Sequence, residues 1–169
     1  MRWIVFALVT TFMLSSCKVT FNGTGTGTVD TRLQTIAIDD FINQAALVVP
    51  YLAQEVTNQM QDRFQRQSRL ELTTGAADIR IGGSIVRYDL QPVAVTGNET
   101  AAQNRLSIEV SVSFENFVEP SESWASEKRF RGFVDVSADA DFTSQEEDLI
   151  NEILDQITQD VFSATIGKW

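Results

Sequence analysis

The sequence predicts an α+β protein: a two-layer sandwich in which two amphipathic helices pack on one face of a mostly antiparallel or mixed four- to five-stranded sheet. Three observations carry this. From Arg105 to Phe117 the chain alternates strictly, with Leu106, Ile108, Val110, Val112 and Phe114 on one side and Ser107, Glu109, Ser111, Ser113 and Glu115 on the other. That is the period of a β-strand with one buried and one wetted face. Two further stretches repeat apolar residues at helical spacing, Leu52, Val56, Met60 and Phe64 in the first, and Leu149, Ile150, Ile153, Leu154, Ile157, Val161 and Phe162 in the second. The third observation is their order: strand, helix, three or four strands, helix, which leaves a half-wet sheet and two apolar helix faces to cover each other.

The chain opens on a processing signal. Arg2 precedes an apolar run from Trp3 to Leu14, broken only by Thr10 and Thr11, and this is shorter than the about 20 apolar residues of a bilayer span. With the small residues of Leu14-Ser15-Ser16-Cys17, it describes a secretory signal peptide over residues 1–16. The break resembles the lipobox of bacterial lipoproteins, and by that resemblance Cys17 is diacylated and begins the mature chain. The other reading is an incidental thiol after an ordinary signal. Cys17 is the only cysteine, so disulfides are excluded either way. An acylated Cys17 anchors stably, at about 0.8 kcal/mol per buried methylene, and Lys18 in place of Asp points to the outer membrane. Residues 17–32, with Gly23-Thr24-Gly25-Thr26-Gly27-Thr28, read as a flexible tether. A phosphate loop would need a strand before it and a helix after it, and neither is evident.

The remaining residues, 33–169, form one domain. Leu33 to Asp40 supplies a short strand with Ile36 and Ile38 on one face. Pro50 suits the first turn of the first helix, whose outer side carries Gln54, Asn58, Gln61 and Gln65 and which ends near Ser68. Arg69 to Leu72 returns to the sheet. Ile79 to Leu90 is the next strand, with Gly82-Gly83 marking a bulge or a close backbone approach and Pro92 ending it. The polar loop Thr96 to Asn104 leads to the central strand. Glu119-Pro120-Ser121-Glu122 then turns the chain into an extended run from Trp124 to Val136, making a long antiparallel hairpin. Ser144-Gln145-Glu146-Glu147 has the form of a capping box for the second helix.

Composition removes most chemistry. The formal net charge is -10, with 23 acidic against 13 basic residues, which disfavours nucleic acid and anionic lipid as non-specific partners. There is no histidine, and the only thiol is assigned to the anchor. The usual general base, transition-metal ligand and nucleophile are thus missing, so no catalytic residue, metal or cofactor is expected beyond a covalent lipid at Cys17. Asp39-Asp40 at a strand end and Glu146-Glu147-Asp148 in a first helical turn read as structural acids. Along the return strand, Arg129 and Arg131 share a face with Phe133, and Lys128, Phe130, Val134 and Val136 share the other. A hairpin centred near Pro120 lets Arg131 lie opposite Glu109, a cross-strand charge pair worth under about 1 kcal/mol. The sharper alternative is that Arg87, Arg105, Lys128, Arg129 and Arg131 meet lipid phosphates, to which the arginine fork is suited.

The segment Gln91-Pro92-Val93-Ala94-Val95-Thr96-Gly97-Asn98-Glu99-Thr100-Ala101-Ala102-Gln103-Asn104-Arg105-Leu106 resembles the stretch before the central strand in the lipopolysaccharide-assembly lipoprotein family LptE. Phe21 and Gly23 after Cys17, Asp62-Arg63-Phe64 at a helix end, the acidic-apolar helix Glu147 to Ile153 and the terminal Trp169 agree with it. The resemblance spans the mature chain. It implies a non-enzymatic subunit of the outer-membrane lipopolysaccharide translocon, plugging an LptD-type β-barrel, assisting its assembly and helping lipopolysaccharide reach the outer leaflet. Its implied partners are that barrel, lipopolysaccharide and the outer membrane, and its implied place is the periplasmic side or the barrel lumen. The competing expectation is a free periplasm-facing lipoprotein that holds a small lipid or solute in an apolar cleft. A hydrolase would need a nucleophile and base, and no such constellation is evident.

Overall fold

The computed structural model describes residues 32–93 and 103–166. Its elements are β1 (Thr35–Ile38), β2 (Ile42–Asn43), α1 (Leu52–Gln67), β3 (Glu71–Leu72), β4 (Ile79–Val93), β5 (Gln103–Asn116), β6 (Lys128–Ser137) and α2 (Phe142–Thr165). The sheet runs β3-β1-β4-β5-β6, and β2 also pairs with β4. β1 is parallel to both β3 and β4, and β2 is parallel to β4. β4, β5 and β6 form an antiparallel meander. The sheet is therefore mixed, and six-stranded once the two-residue β2 is counted. The processing signal, Cys17, the Gly/Thr tether, the loop beyond Val93 and Trp169 lie outside the described residues.

The alternation that begins at Arg105 is a strand whose Leu106, Ile108, Val110 and Val112 are fully buried, with Phe114 nearly so. Against them pack Leu52, Val56, Met60 and Phe64 of α1 and Ile150, Ile153, Leu154, Ile157 and Val161 of α2. The two helices meet through an edge-on contact of Phe64 with Phe162, ring centroids 5.2 Å apart. They are also clamped by Arg63, whose guanidinium donates to Thr158 Oγ1, Gln159 Oε1 and the backbone and side-chain oxygens of Asp155. α2 lies close to the sheet because Gly132 has no side chain: a Cβ there would stand 2.8 Å from both Ile153 Cγ2 and the Ile153 carbonyl oxygen.

Several boundaries differ from the sequence expectation, each for a local reason. Pro92 does not end β4 but lies within it, opposite Asn104. Beyond the β2 pairing at Ser84 and Ile85, no strand among the described residues lies on the other side of β4, so a proline there need not break a ladder. The bulge falls between Ile85 and Arg87, while Gly83 marks the close approach, since a Cβ on it would collide with the Ser111 carbonyl.

Trp124 is outside β6. Asn116, buried, holds a wider turn by accepting the Val118 and Glu119 amides and donating to Glu122, and β6 starts only at Lys128. Trp124 instead packs on Phe114 and Phe130. Nor is there a capping box. α2 begins at Phe142, and Ser144 lies within its first turn, donating to the Asp141 carbonyl at 2.9 Å. Glu146 is consequently past the first turn, where it accepts the Tyr88 hydroxyl at 2.5 Å. Burial and that carboxylate together push the Tyr88 hydroxyl pKa well above its ordinary value.

Candidate functional site

The face of the sheet away from the helices is set by the same alternation. Cross-strand register places Arg87 and Glu109 side by side, Arg131 opposite Glu109, Arg129 opposite Ser111, Phe133 opposite Ser107, and Asp135 opposite Arg105. Adjacent strands lie about 4.8 Å apart, so these side chains make one continuous ladder. Four of the five candidate cations, Arg87, Arg105, Arg129 and Arg131, are thereby brought to one surface. Lys128 is not. It is opposite Val112, on the other face, and its Nζ sits 4.2 Å over the Trp124 ring.

The arginines are not equivalent. Arg105 makes a two-pronged bond to Asp135, 2.7 Å from Nε and 2.8 Å from Nη2, and lies 4.1 Å over the exposed Phe133 ring. The Arg105 hydrogen bond holds the Asp135 carboxyl below the usual carboxylate value. Glu109, its side chain 14% exposed, takes Arg129 at 3.2 Å and Arg87 at 3.8 Å. Although Arg131 is the residue opposite Glu109, it donates to a neutral partner, Ser107 Oγ, at 3.1 Å. Among the described residues no carboxylate pairs with Arg131. The expected charge pair of the hairpin is thus made diagonally, by Arg129, and Arg131 stands exposed two residues from Phe133 on the same face.

Sequence reading placed the cations and Phe133 but missed Asp135 and Asp89. Both follow from the period of two once the pairing is known. Asp89 is opposite Ser107, and its Oδ1 is buried without a hydrogen-bond partner among the described residues. Arg131 can meet an anionic group and Phe133 an apolar one, whereas the unpartnered Asp89 oxygen calls for a hydrogen-bond donor. No group of histidine, cysteine or carboxylate side chains suited to a metal ion occurs among the described residues.

The LptE lipopolysaccharide-assembly family model matches residues 33–165. The chain belongs to the LptE family. It is accordingly a bacterial envelope lipoprotein of lipopolysaccharide assembly, in a family of non-enzymatic proteins that work with the lipopolysaccharide-transport machinery. No curated protein matches its sequence significantly. The LptE fold is shared with a minor lipoprotein of Acinetobacter baumannii at 9% identity and TM-score 0.53, over 81% of this chain and 95% of that one. It is shared too with lipoprotein B of Nitrosomonas europaea, at 12% identity and TM-score 0.53, over 76% and 79% of the two chains.

Proposed function

We propose that this LptE-family chain is a lipid-anchored subunit of the outer-membrane lipopolysaccharide translocon. It sits partly in the lumen of an LptD-type β-barrel as a plug, assists that barrel's assembly and helps lipopolysaccharide into the outer leaflet, with Cys17 carrying the anchor. The observation that carries this reading is the family match over nearly all of the described domain. The packing supports it. The space between helices and sheet is filled by fully buried side chains, and the groove of about 420 Å³ between the helices is lined by polar residues, among them Gln59, Asp62, Arg63, Asn151, Asp155 and Thr158. Neither provides the apolar cleft that a free carrier of a small lipid would need.

On this reading Arg131, with Arg87, Arg105 and Arg129 around it, meets lipid phosphate on the open sheet face, and Lys128 takes no part. The test is a mild-detergent pull-down of the tagged full-length protein from its native membranes, with the stoichiometry of co-eluting proteins read by mass spectrometry. A large β-barrel protein at one-to-one is the expected result. Reproducible recovery of the lipoprotein alone in several detergents would overturn it.

A further inference from the structure

The loop from β2 into α1 differs from the rest of the surface. From Phe41 to Gln54 no residue carries a charge, in a chain whose net charge is -10. Phe41, Ala45 and Val49 are buried and hold the loop down. Asn43 shapes it, its Oδ1 accepting the Ala45 amide at 3.0 Å and its Nδ2 donating to the Val49 carbonyl at 3.4 Å. This turn presents Ile42, Leu47, Val48 and Tyr51 outward, between 44% and 60% exposed. Single exposed apolar residues are ordinary, but a contiguous group marks a contact surface.

Two facts select the occupant. Glu55 lies one helical turn from Tyr51, its amide donating to the Tyr51 carbonyl at 3.0 Å, and Glu146 is held nearby on α2 by Tyr88. Burial first, then Glu146, Glu147 and Glu55, raise the Tyr51 hydroxyl pKa, so an anionic surface is disfavoured while a zwitterionic one is not. The chain outside the described residues also reaches far enough: fourteen residues, 18–31, separate Cys17 from Arg32, an extended span of about 50 Å. Ile36 is level with Ile79 and Ile42 with Ser84, five residues further along β4 or about 17 Å. The loop is therefore within range of the leaflet that holds the Cys17 lipid.

We propose that Ile42, Leu47, Val48 and Tyr51 dip into the interfacial zone of a zwitterionic lipid leaflet, the aliphatic side chains at the acyl boundary and the tyrosine at headgroup depth. This rests on the reading of Cys17 as the anchor. The test uses full-length protein purified from membranes and reconstituted into phosphatidylcholine vesicles with brominated acyl chains. Two variants each add one tryptophan, Leu47→Trp in the loop and Gln65→Trp near the far end of α1, and the emission each adds over the parent is followed. The Leu47→Trp increment is expected to be blue-shifted and quenched at least twofold, with that of Gln65→Trp unchanged. Replacing part of the lipid by phosphatidylglycerol is expected to reduce the quenching. Equal quenching at both positions overturns the proposal. So does a Leu47→Trp emission that is shielded only in a complex with another protein, a second copy included. The mass of the Cys17 peptide reads the anchor separately. If that peptide carries no lipid the anchor reading falls; quenching of the chain bound to the vesicles then still supports the loop contact, and no quenching overturns the contact as well.

Discussion

At Arg131 the guanidinium donates to Ser107 Oγ, with no carboxylate paired to it among the described residues, whereas Arg129 is held by Glu109. Arg131→Gln is therefore expected to change stability by no more than about 0.5 kcal/mol and to weaken binding to immobilised lipopolysaccharide several-fold, with Arg129→Gln weakening it less. Equal binding by both variants and the parent would remove the phosphate contact. Asp78 plays the opposite part, entirely within the fold. Its carboxylate accepts the amides of Gln34 and Thr35 and the Thr35 hydroxyl, while Thr35 Oγ1 accepts the Asp78 amide.

Those backbone bonds, foremost among the causes, lower the Asp78 pKa below its ordinary value. The unfolded chain then takes up the proton more readily than the folded one, so the stabilisation is complete above about pH 4 and is lost as pH falls through the folded value. Asp78→Ala should cost about 2 kcal/mol at pH 7, a gap that narrows below pH 4 in urea titrations. A gap independent of pH would show that the charge contributes nothing.

Among the elements, α2 and β6 depend on one small residue. Gly132→Ala presses on Ile153 and forces α2 away from β6, and is expected to cost about 2 to 3 kcal/mol by overpacking, seen as a lower midpoint in thermal unfolding; superimposable curves would mean the contact yields. This closeness was not legible in the sequence, where Gly132 is simply one more residue on the core-facing side of a strand. The core itself was legible, because Leu52, Val56, Met60 and Phe64 and the alternation from Leu106 to Phe114 obey their periods without exception. What escaped were the ends. Pro92 continues β4 and Trp124 precedes β6 because strand limits depend on neighbours and on the turn that Asn116 builds, not on local residue type. Likewise Arg129 and Arg131 could be put on one face from the sequence, but Arg87 shares it only because of the bulge between Ile85 and Arg87, and which arginine lacks a paired carboxylate turned on diagonal contacts that alternation does not specify.

For the whole molecule, the proposed anchor at Cys17 is expected to be separable from the fold. With the tether preceding β1 and the core closing without it, Cys17→Ala should release the protein from the membrane fraction and leave its circular-dichroism spectrum and melting midpoint unchanged. An unfolded spectrum would sink that separation. The position of β1 adds something further. It is the first strand after the tether, yet it lies inside the sheet, parallel to β3 on one side and β4 on the other, and Asp78 grips its start. A pull on the chain ahead of β1, such as the proposed Cys17 anchor would transmit, therefore loads both ladders along their length. The strand can slip only if their hydrogen bonds fail together rather than one after another, so a pull on the N-terminal end meets shear resistance rather than peeling.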